Sequence, residues 1–195
     1  MIDVRRRGRA IVVAYLLFCV LYLGAPRLAI RDPHLLQPSS VDRAIPFLPW
    51  TIALYLSQFL FLFLTLWLQT DSRRLTRAFI AIAISTVLSC AIFILWPTTL
   101  PRPPVRNAAF DTLWLFDVPT NCFPSLHTAL ATIAAFFWPR RKRWLAALWA
   151  AAIIVSTLTT KQHVAIDVAG GLVVAGVAIA ISASLPARGT GRKND

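Results

Sequence analysis

Long apolar runs, broken by short clusters of charge and proline, set the pattern of this chain. A hydrocarbon layer of roughly 30 Å needs about 20 helical residues to cross it, and about 17 suffice. Six runs approach that length: Ala10 to Ala25, Trp50 to Leu68, Ala78 to Trp96, Cys122 to Trp138, Trp144 to Thr160, and Val164 to Leu185. Tryptophans mark many of their ends (Trp50, Trp67, Trp96, Trp138, Trp144), as interfacial anchors do. The pattern predicts an all-α integral membrane protein with six transmembrane helices. It forms a single domain over 1–195, with a core of about 10–185 and basic tails at 1–9 and 186–195. The first run resembles a signal peptide, but the proline that follows "LGA" disfavours cleavage, so a retained helix is expected.

Composition strengthens this picture. Hydrophobic residues make up 57% of the 195 positions and charged residues 14%, against about 25% in soluble domains. Mean hydropathy is +0.66. A net charge of +12 in a soluble protein would point to nucleic acid. Here its distribution marks a membrane face instead, and no nucleic-acid partner is expected. One set of connections holds Arg5, Arg6, Arg7, Arg9, Arg73, Arg74, Arg77, Arg140, Arg141, Lys142, Arg143, Arg188, Arg192 and Lys193. The other holds only Arg27, Arg31, Arg43, Arg102, Arg106 and Lys161. Both termini are therefore expected in the cytoplasm. Cys19, Cys90 and Cys122 lie in or beside apolar runs and form no disulfide or metal-ligand spacing.

This topology brings two polar stretches to one depth. "NCFPSLHT" (121–128) opens the fourth run, and "TKQHVAID" (160–167) bridges the fifth and sixth, both at the outer face. The proline-rich connection from Pro97 to Asn121 lies beside them, with a short helix expected at "FDTLWLF". Pro26 to Pro49 forms the other outer loop and holds His34.

His163 and Asp167, four residues apart, share one face if both are helical. A carboxylate bonded to one imidazole nitrogen fixes the tautomer and leaves the other nitrogen as a base or nucleophile. The alternative is an acid complementing a helix N-terminus, with a histidine reaching the interface. In "FPSLH", Pro124 suits the first turn of a helix, whose free N–H groups form an anion site that Ser125 and His127 would complete. The alternative is an ordinary helix start. Arg102, Arg106 and Lys161 are either solvated loop charges or phosphate donors. Taken together, these groups suffice for phosphoryl transfer through a phosphohistidine with no metal or other cofactor.

The same residues resemble the type 2 phosphatidic acid phosphatase superfamily, whose signature reads K-x6-R-P, P-S-G-H and S-R-x5-H-x3-D. The second motif appears as Pro124, Ser125, Leu126 and His127, with leucine for glycine. The third appears as Ser156, His163 and Asp167, with Thr157 in the arginine position. Of the first, Arg102 and Pro103 remain, with Leu95 in place of lysine. The departures resemble the branch containing inositol phosphorylceramide synthases. The resemblance implies His163 as nucleophile, Asp167 as its orienter, and His127 as the acid that protonates the leaving oxygen. It also implies phosphate binding by Ser125, Leu126, Arg102 and Ser156, and Lys161 is the candidate replacement for the missing arginine. A phosphorylated membrane lipid or polyprenyl phosphate is then the expected substrate. It would be hydrolysed at the outer face of a bacterial inner membrane, or its head group would be transferred to another lipid. A haem-binding protein using His127 and His163, and an inactive scaffold, are the readings outside this class.

Overall fold

The structure is a computed structural model and describes residues 1–105, 108–117 and 119–185. Arg106, Arg188, Arg192 and Lys193 of the charge pattern lie outside the described residues. Each apolar run folds as a helix: α1 (Arg7–Gly24), α3 (Ile52–Trp67), α4 (Ser72–Leu95), α6 (Leu126–Phe137), α7 (Arg143–Thr159) and α8 (Ala165–Ser184). Two short helices lie in the connections, α2 (Ser40–Ala44) and α5 (Ala108–Phe116), and the latter covers the segment expected to be helical.

Four helical stretches are long and apolar enough to cross a membrane: Val4–Leu28, Pro49–Trp67, Ser72–Leu95 and Ala165–Ser184. The α6 helix is shorter, 12 residues or about 18 Å. It starts later than the apolar run because Ser125 caps it, accepting a hydrogen bond from the Thr128 N–H. Pro124 therefore stands before the cap and not in the first turn. Its bond to Phe123 is cis.

α6 forms the centre of the bundle, packed against α3, α4, α7 and α8. The buried seam is rich in alanine, including Ala78, Ala81, Ala129, Ala134, Ala150 and Ala178, so the backbones approach closely. α1 lies at the edge and exposes Val12, Val13, Leu16, Leu17 and Val20.

Two ends of the bundle can be told apart by their contacts. At one, Arg74 and Gln69 donate to the last carbonyls of α6 (Gln69 Nε2 to Phe137 O, 2.6 Å), and Arg7 donates to Gln69 O. At the other, β1 (His34–Leu35) pairs in parallel with β2 (Thr98–Thr99), and Thr98 bridges to Asn121. Both proline-rich loops and the starts of α6 and α8 thus meet at that second end.

Candidate active site

The turn that ends α7 builds the first half of the site. Lys161 takes a left-handed conformation (φ 56°), which costs a non-glycine residue about 1–2 kcal/mol. The turn is held by the Gln162 and His163 N–H groups, both donating to Thr157 O at 3.1 Å. It is also held through the Lys161 ammonium, which donates to the carbonyls of Asp42 (2.8 Å) and Ile45 (2.5 Å). Asp42 in turn accepts from the Ala165 N–H at 2.7 Å. The connection between α1 and α3 thereby fixes the entry to α8 from both sides.

His163 lies in this turn, ahead of α8 rather than on it. The expected pairing nevertheless forms, with His163 Nδ1 3.3 Å from Asp167 Oδ2. The same oxygen accepts the Val164 N–H at 3.0 Å, so Asp167 caps its own helix while facing the imidazole. Asp167 thus makes both contacts that its spacing allows, one to the imidazole and one to its own helix start. Its other oxygen has no partner among the described residues, and the side chain is wholly buried.

α6 supplies the second half. The Ser125 N–H donates to Asp167 O at 2.9 Å, joining the two helix starts directly. Glycines allow the close approach: a Cβ on Gly171 would collide with the Ser125 carbonyl, and one on Gly170 would come 2.6 Å from the Phe123 ring. His127, on the first turn of α6, stacks on Tyr55 of α3 with centroids 4.0 Å apart. Its ring lies 6.5 Å from that of His163, and its Nε2 has no partner among the described residues.

Arg102 reaches the site from the connection between α4 and α6. Its guanidinium donates to Asp117 O at 2.5 Å and lies over the Trp114 ring. Arg102, Lys161 and His163 together line an open cleft of about 580 Å³ and a small pocket of about 20 Å³ beside it. The structure thus brings together His163, Asp167, His127, Arg102 and Lys161. Three of the expected residues stand apart from the cleft. The Ser125 hydroxyl accepts from Thr128, Leu126 faces an apolar cavity, and the Ser156 hydroxyl donates back to Ile153 O on its own helix.

Sequence reasoning missed Asp117 and Tyr22. The Tyr22 hydroxyl donates to Asp117 Oδ1 at 2.5 Å, and both residues line the small pocket with His163. Burial raises the Asp117 carboxyl above its ordinary range, against the Tyr22 hydrogen bond and the nearby His163 and Arg102. A lone acid in the apolar stretch "LWLFDVP" was the one available signal.

A family model described as the PAP2 superfamily matches residues 40–181. The chain belongs to this superfamily, that of the type 2 phosphatidic acid phosphatases. Membership suggests phosphatase-type chemistry on a phosphorylated lipid and association with the membrane. Neither the curated proteins nor the solved structures include a match.

Proposed function

We propose that the protein is a lipid-phosphate phosphatase working through a phosphohistidine at the outer face of a bacterial inner membrane. The six helices formed by the apolar runs would all cross, with both termini in the cytoplasm and residues 121–125 completing the short α6 span. The observation that carries this reading is the placement of the two histidines on different surfaces. His163 lines the cationic cleft, whereas His127 lines an apolar cavity.

A lipid phosphate bridging the two would present its phosphorus to His163 and its ester oxygen to His127. His163 Nε2 attacks phosphorus, forming the N–P bond as the P–O bond to the lipid breaks. His127, entering protonated, gives its proton to the departing oxygen. Neutral His127 then takes a proton from water, the water oxygen bonds to phosphorus, and the N–P bond breaks. Inorganic phosphate leaves and both histidines are restored. Asp167 holds the imidazole tautomer and balances its positive charge. Arg102 and Lys161 offset the phosphate charge.

Transfer to a lipid hydroxyl, as in the inositol phosphorylceramide synthase branch, uses the same first step. Asp117 favours this second reading, because a buried carboxyl beside the pocket disfavours the dianion of a phosphomonoester. The test is turnover of lipid phosphomonoesters and phosphodiesters by purified protein with chelator present, scoring phosphate release and transfer to added lipid alcohols. Activity should resist chelator and fall by at least 10³-fold in His163→Ala and 10²-fold or more in His127→Ala. Turnover that survives His163→Ala would overturn the phosphohistidine.

A further inference from the structure

Beneath His127 lies an apolar chamber of about 340 Å³, walled by α1, α3 and α6. Its size is within the ~300–1,000 Å³ of small-molecule sites. The wall from α1 lies outside the family match, which begins at residue 40. One lining residue is out of keeping with this setting. Gln58 is 2% exposed, and neither its Oε1 nor its Nε2 has a partner among the described residues. A primary amide buried without hydrogen bonds is costly, and such a group points to something that binds it.

The position of Gln58 limits what that could be. It follows Tyr55, the residue stacked on His127, by one turn of α3, a rise of about 4.5 Å. The chamber and the pocket of His163 share Tyr22 and Asp117, so the two spaces adjoin. A lipid with its ester oxygen at His127 would send a chain into the chamber and carry its first polar linkage past Gln58. We propose that the chamber seats one chain of the substrate lipid and that Gln58 donates a hydrogen bond to the acyl carbonyl at the head of that chain. The inference rests on the phosphatase reading and narrows it to acylated lipid phosphates, because polyprenyl phosphates have no such carbonyl. An ester would use Nε2 alone, whereas an amide would also offer an N–H to Oε1.

The test uses three phosphate lipids with matched chains: a diacylglycerol phosphate, its dialkyl ether analogue, and an N-acyl sphingoid phosphate. For the wild type, kcat/KM on at least one carbonyl lipid should exceed that on the ether by about tenfold. In Gln58→Leu, with Gln58→Met as a second apolar variant, that ratio should fall to near one. The better carbonyl lipid identifies the linkage, ester or amide. Equal turnover of all three by the wild type, or a ratio unchanged in both variants, would overturn the assignment. A thermal-shift series with the same lipids on His163→Ala protein separates the two levels. Carbonyl preference in binding without any wild-type turnover would leave the chamber standing and remove the phosphatase reading. Loss of that preference in binding would remove the chamber.

Discussion

Asp42 illustrates how much of this site depends on residues far from its motifs in the sequence. Its carboxylate accepts from the Ser39 N–H (2.8 Å), the Ser39 hydroxyl (2.6 Å) and the Ala165 N–H, while its carbonyl accepts from Lys161. Burial pushes its pKa up, but these hydrogen bonds and the Lys161 charge outweigh that and hold it below the ordinary carboxylate range. A depressed folded-state pKa stabilises the protein above the unfolded value of about 3.9, and this contribution is lost as pH falls through the folded value. Asp42→Asn should therefore cost about 1–3 kcal/mol at neutral pH, since two or more charge-assisted bonds weaken. Melting in detergent between pH 3 and 7 checks this. The gap between wild type and variant should hold above about pH 5 and close below about pH 4. A gap that does not vary with pH would mean that the charge contributes nothing. None of this was legible in the sequence, because Asp42 and Ala165 are 123 positions apart and neither carries a motif. The contact between His163 and Asp167 was legible, since their spacing is local and their polarity is anomalous for their surroundings.

Among the elements, the junction of α6 and α8 decides whether two histidines 36 positions apart in sequence can act on one phosphorus. The paired glycines at 170 and 171 make that junction possible, and the demand comes from packing alone, since both have ordinary helical backbone angles. Gly171→Ala would push the new methyl into the Ser125 carbonyl and to 2.8 Å from Thr128 Cβ, forcing the helices apart. A loss of about 1–3 kcal/mol is expected, with turnover falling more than tenfold as Asp167 and His127 separate. Gly176→Ala is the control: nothing lies within 4 Å of its new Cβ, and alanine is the better helix former. Thermal unfolding and phosphate release on both variants check the pair, and equal behaviour of the two would refute the packing argument. The existence of a helix in each of the six apolar runs was legible, although among the described residues only four helical stretches are long and apolar enough to cross a membrane. The start of α6 was not, because a proline before a serine suits either the first turn or the residue ahead of the cap. His163 was likewise placed on a helix by its spacing from Asp167, whereas the chain reaches the same pairing from a turn held by Lys161.

For the whole molecule, charge and chemistry divide between the two ends. Described cations Arg5 to Arg9, Arg73 to Arg77 and Arg140 to Arg143 gather where Arg74 closes α6. Arg27, Arg31, Arg43, Arg102 and Lys161 accompany the end that carries both histidines. Lysine and arginine bias of this kind retains an end in the cytoplasm, so the site end should face outward. On the proposed function, substrate would enter from the outer leaflet with its phosphate toward Arg102 and Lys161 and its chains toward α1. Orientation can be read with an impermeant maleimide on spheroplasts, in a background where Cys19, Cys90 and Cys122 are replaced by alanine. Two exposed positions serve as reporters, Gln37→Cys in the loop paired to β2 and Lys142→Cys between α6 and α7. The first should label in intact spheroplasts and the second only after permeabilisation. Labelling of Lys142→Cys in intact spheroplasts with Gln37→Cys protected would place the histidines in the cytoplasm. The positive charges would then have to be read as a surface that attracts anionic lipid substrates on the inner side.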